Sequence, residues 1–165
     1  MKKFLTSDRL YLRMLTTKDS ELIYKLNSDQ EVMKYVREPD TKESAKASLE
    51  KYLKFYDGNG LGIWAAHQID DDEFIGFFIF RKYTGTEDIE IGYRIHKKYW
   101  GMGYATEMTK VLVDYGFDVL EMREMFAVTD PENKVSEKVL KKCCFRNAGT
   151  TEKYYGQKLN YFKIT

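Results

Sequence analysis

Hydrophobic and polar positions alternate over Ile89, Ile91, Tyr93 and Ile95, interleaved with Asp88, Glu90, Gly92 and Arg94. A period of two marks a strand with unlike faces, so the pattern predicts a strand over 87–96. The period then changes: Ala105, Met108, Val111, Leu112 and Tyr115 share one face at helical spacing and predict a helix over about 103–118. The same reading predicts a strand near 7–15 and a short helix over 18–27 carried by Leu22, Ile23 and Leu26. Thr41 is placed to cap a longer helix whose stripe is Ala45, Leu49, Tyr52, Leu53 and Tyr56, closed by Asp57-Gly58-Asn59-Gly60. Strands follow over 62–69 and 73–82, with Asp70-Asp71-Asp72 as the hairpin turn between them. A strand near 123–129, a helix over about 133–144 and two closing strands complete the chain. Strands and helices in this order predict a mixed α/β sheet flanked by helices.

Composition narrows the picture. A length of 165 residues suits one domain over 1–165, with roughly 68–70% of the unfolded surface buried. Lys and Arg number 27 against 26 Asp and Glu, which gives no electrostatic case for a nucleic-acid or anionic-membrane partner. No apolar run approaches the ~20 residues of a membrane span. The stretch Met1-Lys2-Lys3-Phe4-Leu5 has basic residues with no apolar segment after them, and reads as a cytoplasmic N-terminus rather than a signal peptide. Cys143 and Cys144 are the two cysteines; adjacent residues make a strained disulfide, and no further Cys completes a zinc set. A reduced compartment and no metal are expected.

The chemistry lies where the period changes. Lys98-Tyr99-Trp100-Gly101-Met102-Gly103-Tyr104-Ala105-Thr106-Glu107 joins the predicted strand to the predicted helix. Gly101 and Gly103 permit positive φ and close approach of a ligand, and the following helix start offers free N–H groups at the positive end of its dipole. That combination suits a phosphate or pyrophosphate. A P-loop is excluded because no Gly-Lys-Ser/Thr follows, and a dinucleotide fingerprint would want a third glycine where Thr106 stands.

Gln or Arg, two residues, Gly, one residue, then Gly or Ala at a strand–helix junction is the acyl-CoA pyrophosphate loop of the GNAT N-acetyltransferase superfamily. The loop here resembles it, with Lys98 in place of Gln or Arg. Ser7-Asp8-Arg9-Leu10-Tyr11-Leu12-Arg13 resembles the first strand of the ribosomal-protein-alanine N-acetyltransferase branch. Asp130-Pro131-Glu132-Asn133-Lys134-Val135-Ser136, followed by Val139-Leu140-Lys141-Lys142 and Phe145-Arg146, resembles its second cofactor motif. The resemblance implies a mostly antiparallel sheet of six to seven strands with about four helices. It also implies acetyl-CoA as acetyl donor and a primary amine as acceptor: a protein N-terminus, a polyamine or another small amine. Monomer and homodimer both remain open.

The resemblance further implies site roles. The strand ending at Tyr93-Arg94-Ile95 would splay from its neighbour and offer main-chain groups to the pantetheine arm and acetyl oxygen; an ordinary paired strand is the alternative. The main chain of Trp100, Gly101, Met102, Gly103, Tyr104 and Ala105 would hold the pyrophosphate, with charge from Lys98 unless that lysine is only a solvated turn residue. Asn133 would hydrogen-bond pantetheine as well as cap its helix. The family's usual Tyr, seven residues after that Asn, is Leu140 here. Ser136, three residues after it, is the candidate donor to the leaving sulfur, as often in the branch. Glu90 shares a strand face with Gly92 and Arg94; it resembles the strand-borne acid that serves as base in several members of the family, and the alternative is an ion pair with Arg94 or with a cross-strand partner. Cys144 stands where the family commonly has a left-handed glycine, at a steric cost of roughly 1 kcal/mol. Loss of the usual Tyr leaves a non-catalytic acyl-CoA-binding sensor as the rival reading, and a nucleotide-phosphate-binding regulator as a third.

Overall fold

A computed structural model describes residues 2–165; Met1, with its part in the N-terminal reading, lies outside them. Eight strands form one sheet in the order β1-β2-β3-β4-β5-β6-β8-β7. They are β1 (Lys3–Thr6), β2 (Leu10–Met14), β3 (Gly62–Gln68), β4 (Phe74–Lys82), β5 (Ile89–Ile95), β6 (Met125–Thr129), β7 (Arg146–Thr151) and β8 (Leu159–Ile164). Every neighbouring pair is antiparallel except β5–β6. The helices are α1 (Ser20–Asn27), α2 (Gln30–Met33), α3 (Lys42–Leu53), α4 (Tyr104–Asp114) and α5 (Lys134–Lys142).

The class expected from the sequence holds, with two additions. The predicted strand over 7–15 is a hairpin: Ser7 donates its N–H to the Leu10 carbonyl at 2.8 Å and accepts the Leu10 N–H on Oγ at 3.1 Å, so β1 lies before that turn. The short helix α2 was not predicted; Asp29 caps it by accepting the N–H groups of Glu31 and Val32. α3 stops at Leu53, and Tyr56 instead turns its hydroxyl into the sheet, accepting the Leu15 N–H at 2.8 Å. The last predicted turn of α4 widens into a π-helical segment over Tyr115–Val119.

Each face of the sheet buries its own core. Leu26, Ala45 and Leu49 of α1 and α3 pack on Ile63, Ala65 and Phe77. On the other face Tyr104, Met108 and Leu112 of α4 and Leu140 of α5 pack on Phe78, Phe80, Ile91 and Ile95. Burying each such side chain contributes about 2 kcal/mol. The alternation along β5 therefore sorts its residues: Ile91, Tyr93 and Ile95 face α4 and α5, while Glu90, Gly92 and Arg94 face α1 and α3. One glycine makes the contact between β4 and β5 possible. Gly76 sits at φ +150°, and a Cβ on it would lie 2.1 Å from the Arg94 carbonyl oxygen.

Candidate active site

The sheet opens at its one parallel junction. β5 and β6 pair in register only at Glu90 and Phe126, whereas β4 pairs with β5 along its whole length. Beyond Glu90, the edge of β5 through Tyr93, Arg94 and Ile95 has no ladder partner on the β6 side. The sheet thus carries a notch, with Glu90 at its apex and unpaired backbone on one wall.

The glycine loop lies at the open end of β5. Gly101 and Gly103 have φ +78° and +84°, values that only glycine adopts freely. A Cβ at Gly101 would meet nothing within 4 Å, and one at Gly103 only the tip of Arg9, at 3.4 Å. The loop is open to an incoming group rather than filled by protein. Trp100, 48% exposed, ties it to β5 by donating Nε1–H to the Ile95 carbonyl at 2.8 Å. Gly103 is the N-cap of α4 and supplies no side-chain cap. The first backbone bond of the helix runs from the Glu107 N–H to the Gly103 carbonyl at 3.0 Å, so the amides of Tyr104, Ala105 and Thr106 lack i−4 partners. Uncapped amides at a helix start are the donor set that a pyrophosphate needs. Met102 is half-exposed. Lys98 does not face this loop as a free charge: its ammonium is bound by Glu73, ahead of β4.

Across the notch, Asn133 caps α5 by accepting the Ser136 N–H on Oδ1 at 3.1 Å, as expected of it. Ser136 Oγ lies 3.2 Å from the Tyr93 hydroxyl. Burial pushes the Tyr93 phenol up to about 12, with the hydrogen bond to Ser136 pulling the other way. Leu140, at the position of the missing Tyr, is core.

Glu90 is 4% exposed. Its Oε2 lies 2.9 Å from Arg81 Nη2 in the cross-strand register pair, and its Oε1 accepts the Tyr155 hydroxyl proton. Of the two sequence readings, the ion pair is present, in its cross-strand form with Arg81 rather than with Arg94. Arg94 instead donates to Asn27 Oδ1 of α1 at 2.6 Å. Burial raises the Glu90 carboxyl above the ordinary value, against the attraction of Arg81 and the hydrogen bond from Tyr155. Tyr155, 48% exposed, connects this buried acid to the surface.

A family model described as Acetyltransferase (GNAT) domain matches residues 9–146. The chain belongs to the GNAT acetyltransferase family. The uncharacterized N-acetyltransferase YnaD of Bacillus subtilis is 34% identical over 150 residues, covering 90% of this chain and 86% of that protein. A GNAT-family acetyltransferase from Bacillus anthracis superposes with a TM-score of 0.83 at 28% identity, covering 98% of this chain and 97% of that one. Ribosomal-protein-S5-alanine acetyltransferase of Vibrio fischeri shares the fold, with a TM-score of 0.77 at 17% identity over 99% of this chain and 96% of that one. The protein is therefore an acetyl-CoA-dependent acyltransferase that acts on amines, and the sensor and regulator readings are set aside.

This GNAT domain also has a pocket of about 420 Å³ at the end of β6. It lies between the segment 30–39, Asp130 just after β6, and Gln157 in the β7–β8 loop. Tyr35 lines it. Trp64 stacks on Phe4 at 3.7 Å and Tyr154 on Phe126 at 4.1 Å, both as packing. Arg81, and the side chains of Tyr93 and Tyr155, were not recognised as site residues in the sequence; the alternation of β4 and β5 placed Arg81 and Glu90 on one face, and only the hairpin register makes them partners. Among the described residues, no group of His, Cys, Asp and Glu could hold a metal ion, and no helix is long and apolar enough to cross a membrane.

Proposed function

We propose that this enzyme acetylates a single primary α-amine, on a peptide N-terminus or a small monoamine, by direct attack on acetyl-CoA. The charge of the 420 Å³ pocket at the end of β6 carries the choice of acceptor. Glu38 and Asp130 share its lining with Lys34, while Arg37 is spent on Asp40, so the surplus is one negative charge, enough for one ammonium rather than the several of a polyamine. An α-amine, at about 7.7–8.0, is already partly neutral near pH 7, whereas a Lys-type amine near 10.4 needs stronger deprotonation.

The thioester supplies an acyl carbon that an amine can attack. In this reading the chain's own groups do the rest. Amides from Gly101 to Ala105 hold the diphosphate; the Trp100 N–H, included in the expectation from the sequence, is spent on the Lys97 carbonyl at 3.1 Å, and Lys98, already paired with Glu73, adds only distant charge. Asn133, whose Oδ1 is used by the cap, offers Nδ2 to the pantetheine arm. Main-chain groups at Tyr93, Arg94 and Ile95 line the notch and polarise the acetyl carbonyl. Ser136 donates to the sulfur. Glu90, raised by burial and joined to the surface by Tyr155, takes the amine proton through water and returns it to solvent.

A thiol-release assay with an amine panel tests the proposal. A short peptide with a free α-amine should stimulate CoA release more than spermidine at equal concentration and pH 7.5. Faster release with spermidine would overturn the assignment.

A further inference from the structure

We propose that Tyr93 is a positioning residue for the leaving group: its phenol donates to Ser136 Oγ and so turns the serine's own proton toward the departing sulfur. This rests on the acetyl-transfer reading above and deepens it.

The hydrogen bond joins β5 to the first turn of α5 across the mouth of the notch, at 3.2 Å. A hydroxyl pair has two protons and one shared bond, so one proton stays free. A phenol is the better donor of the two, and its ring is fixed among core side chains, 5.9 Å from Phe78. Ser136 has no other side-chain partner among the described residues, while its N–H is held by Asn133 at 3.1 Å. With Tyr93 donating, the Ser136 proton is the one left to point into the notch. The chain Tyr93 O–H to Ser136 O–H to sulfur is then polarised in one direction, each bond strengthening the next.

The balance of the step excludes Tyr93 as the acid. The amine nitrogen bonds to the acetyl carbon, and the C–S bond breaks with its electron pair on sulfur. The proton that completes the thiol comes from the amine, by way of solvent. A thiol titrates near 8.5, well below the value of about 12 for Tyr93, so the phenol keeps its proton and acts only by donating a hydrogen bond. The position left without a phenol at Leu140 is thus served from the neighbouring strand.

The test needs no turnover. CoA and desulfo-CoA are titrated calorimetrically into the protein at pH 9.5 with a non-thiol reductant, where the CoA thiol is largely ionised. The wild type should bind CoA about tenfold more tightly than desulfo-CoA. Tyr93→Phe and Ser136→Ala should each reduce that preference to within twofold while leaving desulfo-CoA affinity unchanged, and the double variant should lose nothing further. A Tyr93→Phe protein that melts like the wild type and keeps the full preference overturns the inference. If that variant does not fold, a full preference retained by Ser136→Ala overturns it equally. Failure of the wild type to bind either nucleotide would instead end the acetyl-CoA reading itself, and this inference with it.

Discussion

Cys144 follows the C-cap of α5 at φ +67°, in the left-handed region. The Phe145 N–H reaches back to the Leu140 carbonyl at 3.0 Å and the Cys144 N–H to the Lys141 carbonyl at 3.1 Å, the paired bonds of a Schellman ending. Replacing Cys144 by Gly should raise unfolding stability by about 1 kcal/mol, measured by urea denaturation, because the side chain is exposed and contributes no packing. At Glu90 the expected effect is on rate. Its carboxyl is raised by burial, so kcat/KM should fall as pH drops through that raised value, once the base is protonated. Glu90→Gln should lower kcat/KM by about 10²-fold near neutrality and remove that acidic limb from the pH profile. An unchanged limb in the variant would assign the proton to another group. The sequence placed Glu90, Asn133 and Ser136 on the right elements because each choice was local: a strand face, a cap, a first helical turn. It did not show that Tyr93 meets Ser136, since 43 residues separate them and only the packing of α5 against β5 brings the hydroxyls together.

Elements carry the next level of constraint. β4 and β5 are close because Gly76 has no side chain to strike the Arg94 carbonyl. Gly76→Ala must push apart the two strands that form one wall of the notch, and also strain φ +150°. A loss of about 3 kcal/mol or more is expected in thermal or chemical denaturation, with a larger fractional loss of activity than a surface Gly→Ala change such as Gly85→Ala. Period-2 and period-3.6 patterns found the strands and helices that bury one face. They missed β1 and α2, which are four residues each and too short to show a period. They also extended α3 and α4 past their ends, because Tyr56 and Tyr115 continue the helical spacing while their backbones serve a loop and a wide turn.

At the scale of the whole molecule, a buried polar network ties Arg37, at the 420 Å³ pocket, to the sheet. Asp40 accepts from Arg37 at 2.5 Å, from Asn27 Nδ2 at 2.8 Å and from Ser44 at 2.8 Å, and Asn27 in turn accepts from Arg94 of β5. Burial pushes the Asp40 carboxyl up, but the hydrogen bonds from Arg37, Asn27 and Ser44 outweigh it and hold the group below the ordinary carboxylate value. A lowered folded pKa gives stability that is complete above the unfolded value of about 3.9 and disappears as pH falls through the folded one. Asp40→Asn should therefore cost about 1.5 kcal/mol at pH 7, with the partial exposure of Arg37 keeping the figure low, and the two proteins should converge in stability on acidification. Calorimetric melts across that range would show it.

The gap between β5 and β6 passes through the sheet, with α4 and α5 on one side and α1 and α3 on the other. A doorway with two sides means that donor and acceptor need not take turns. Both can be resident when the bond is made, and no acyl group has to be parked on the protein between visits. Double-reciprocal rate plots at several fixed concentrations of one substrate should then converge; parallel lines would mean a ping-pong exchange through an acylated side chain.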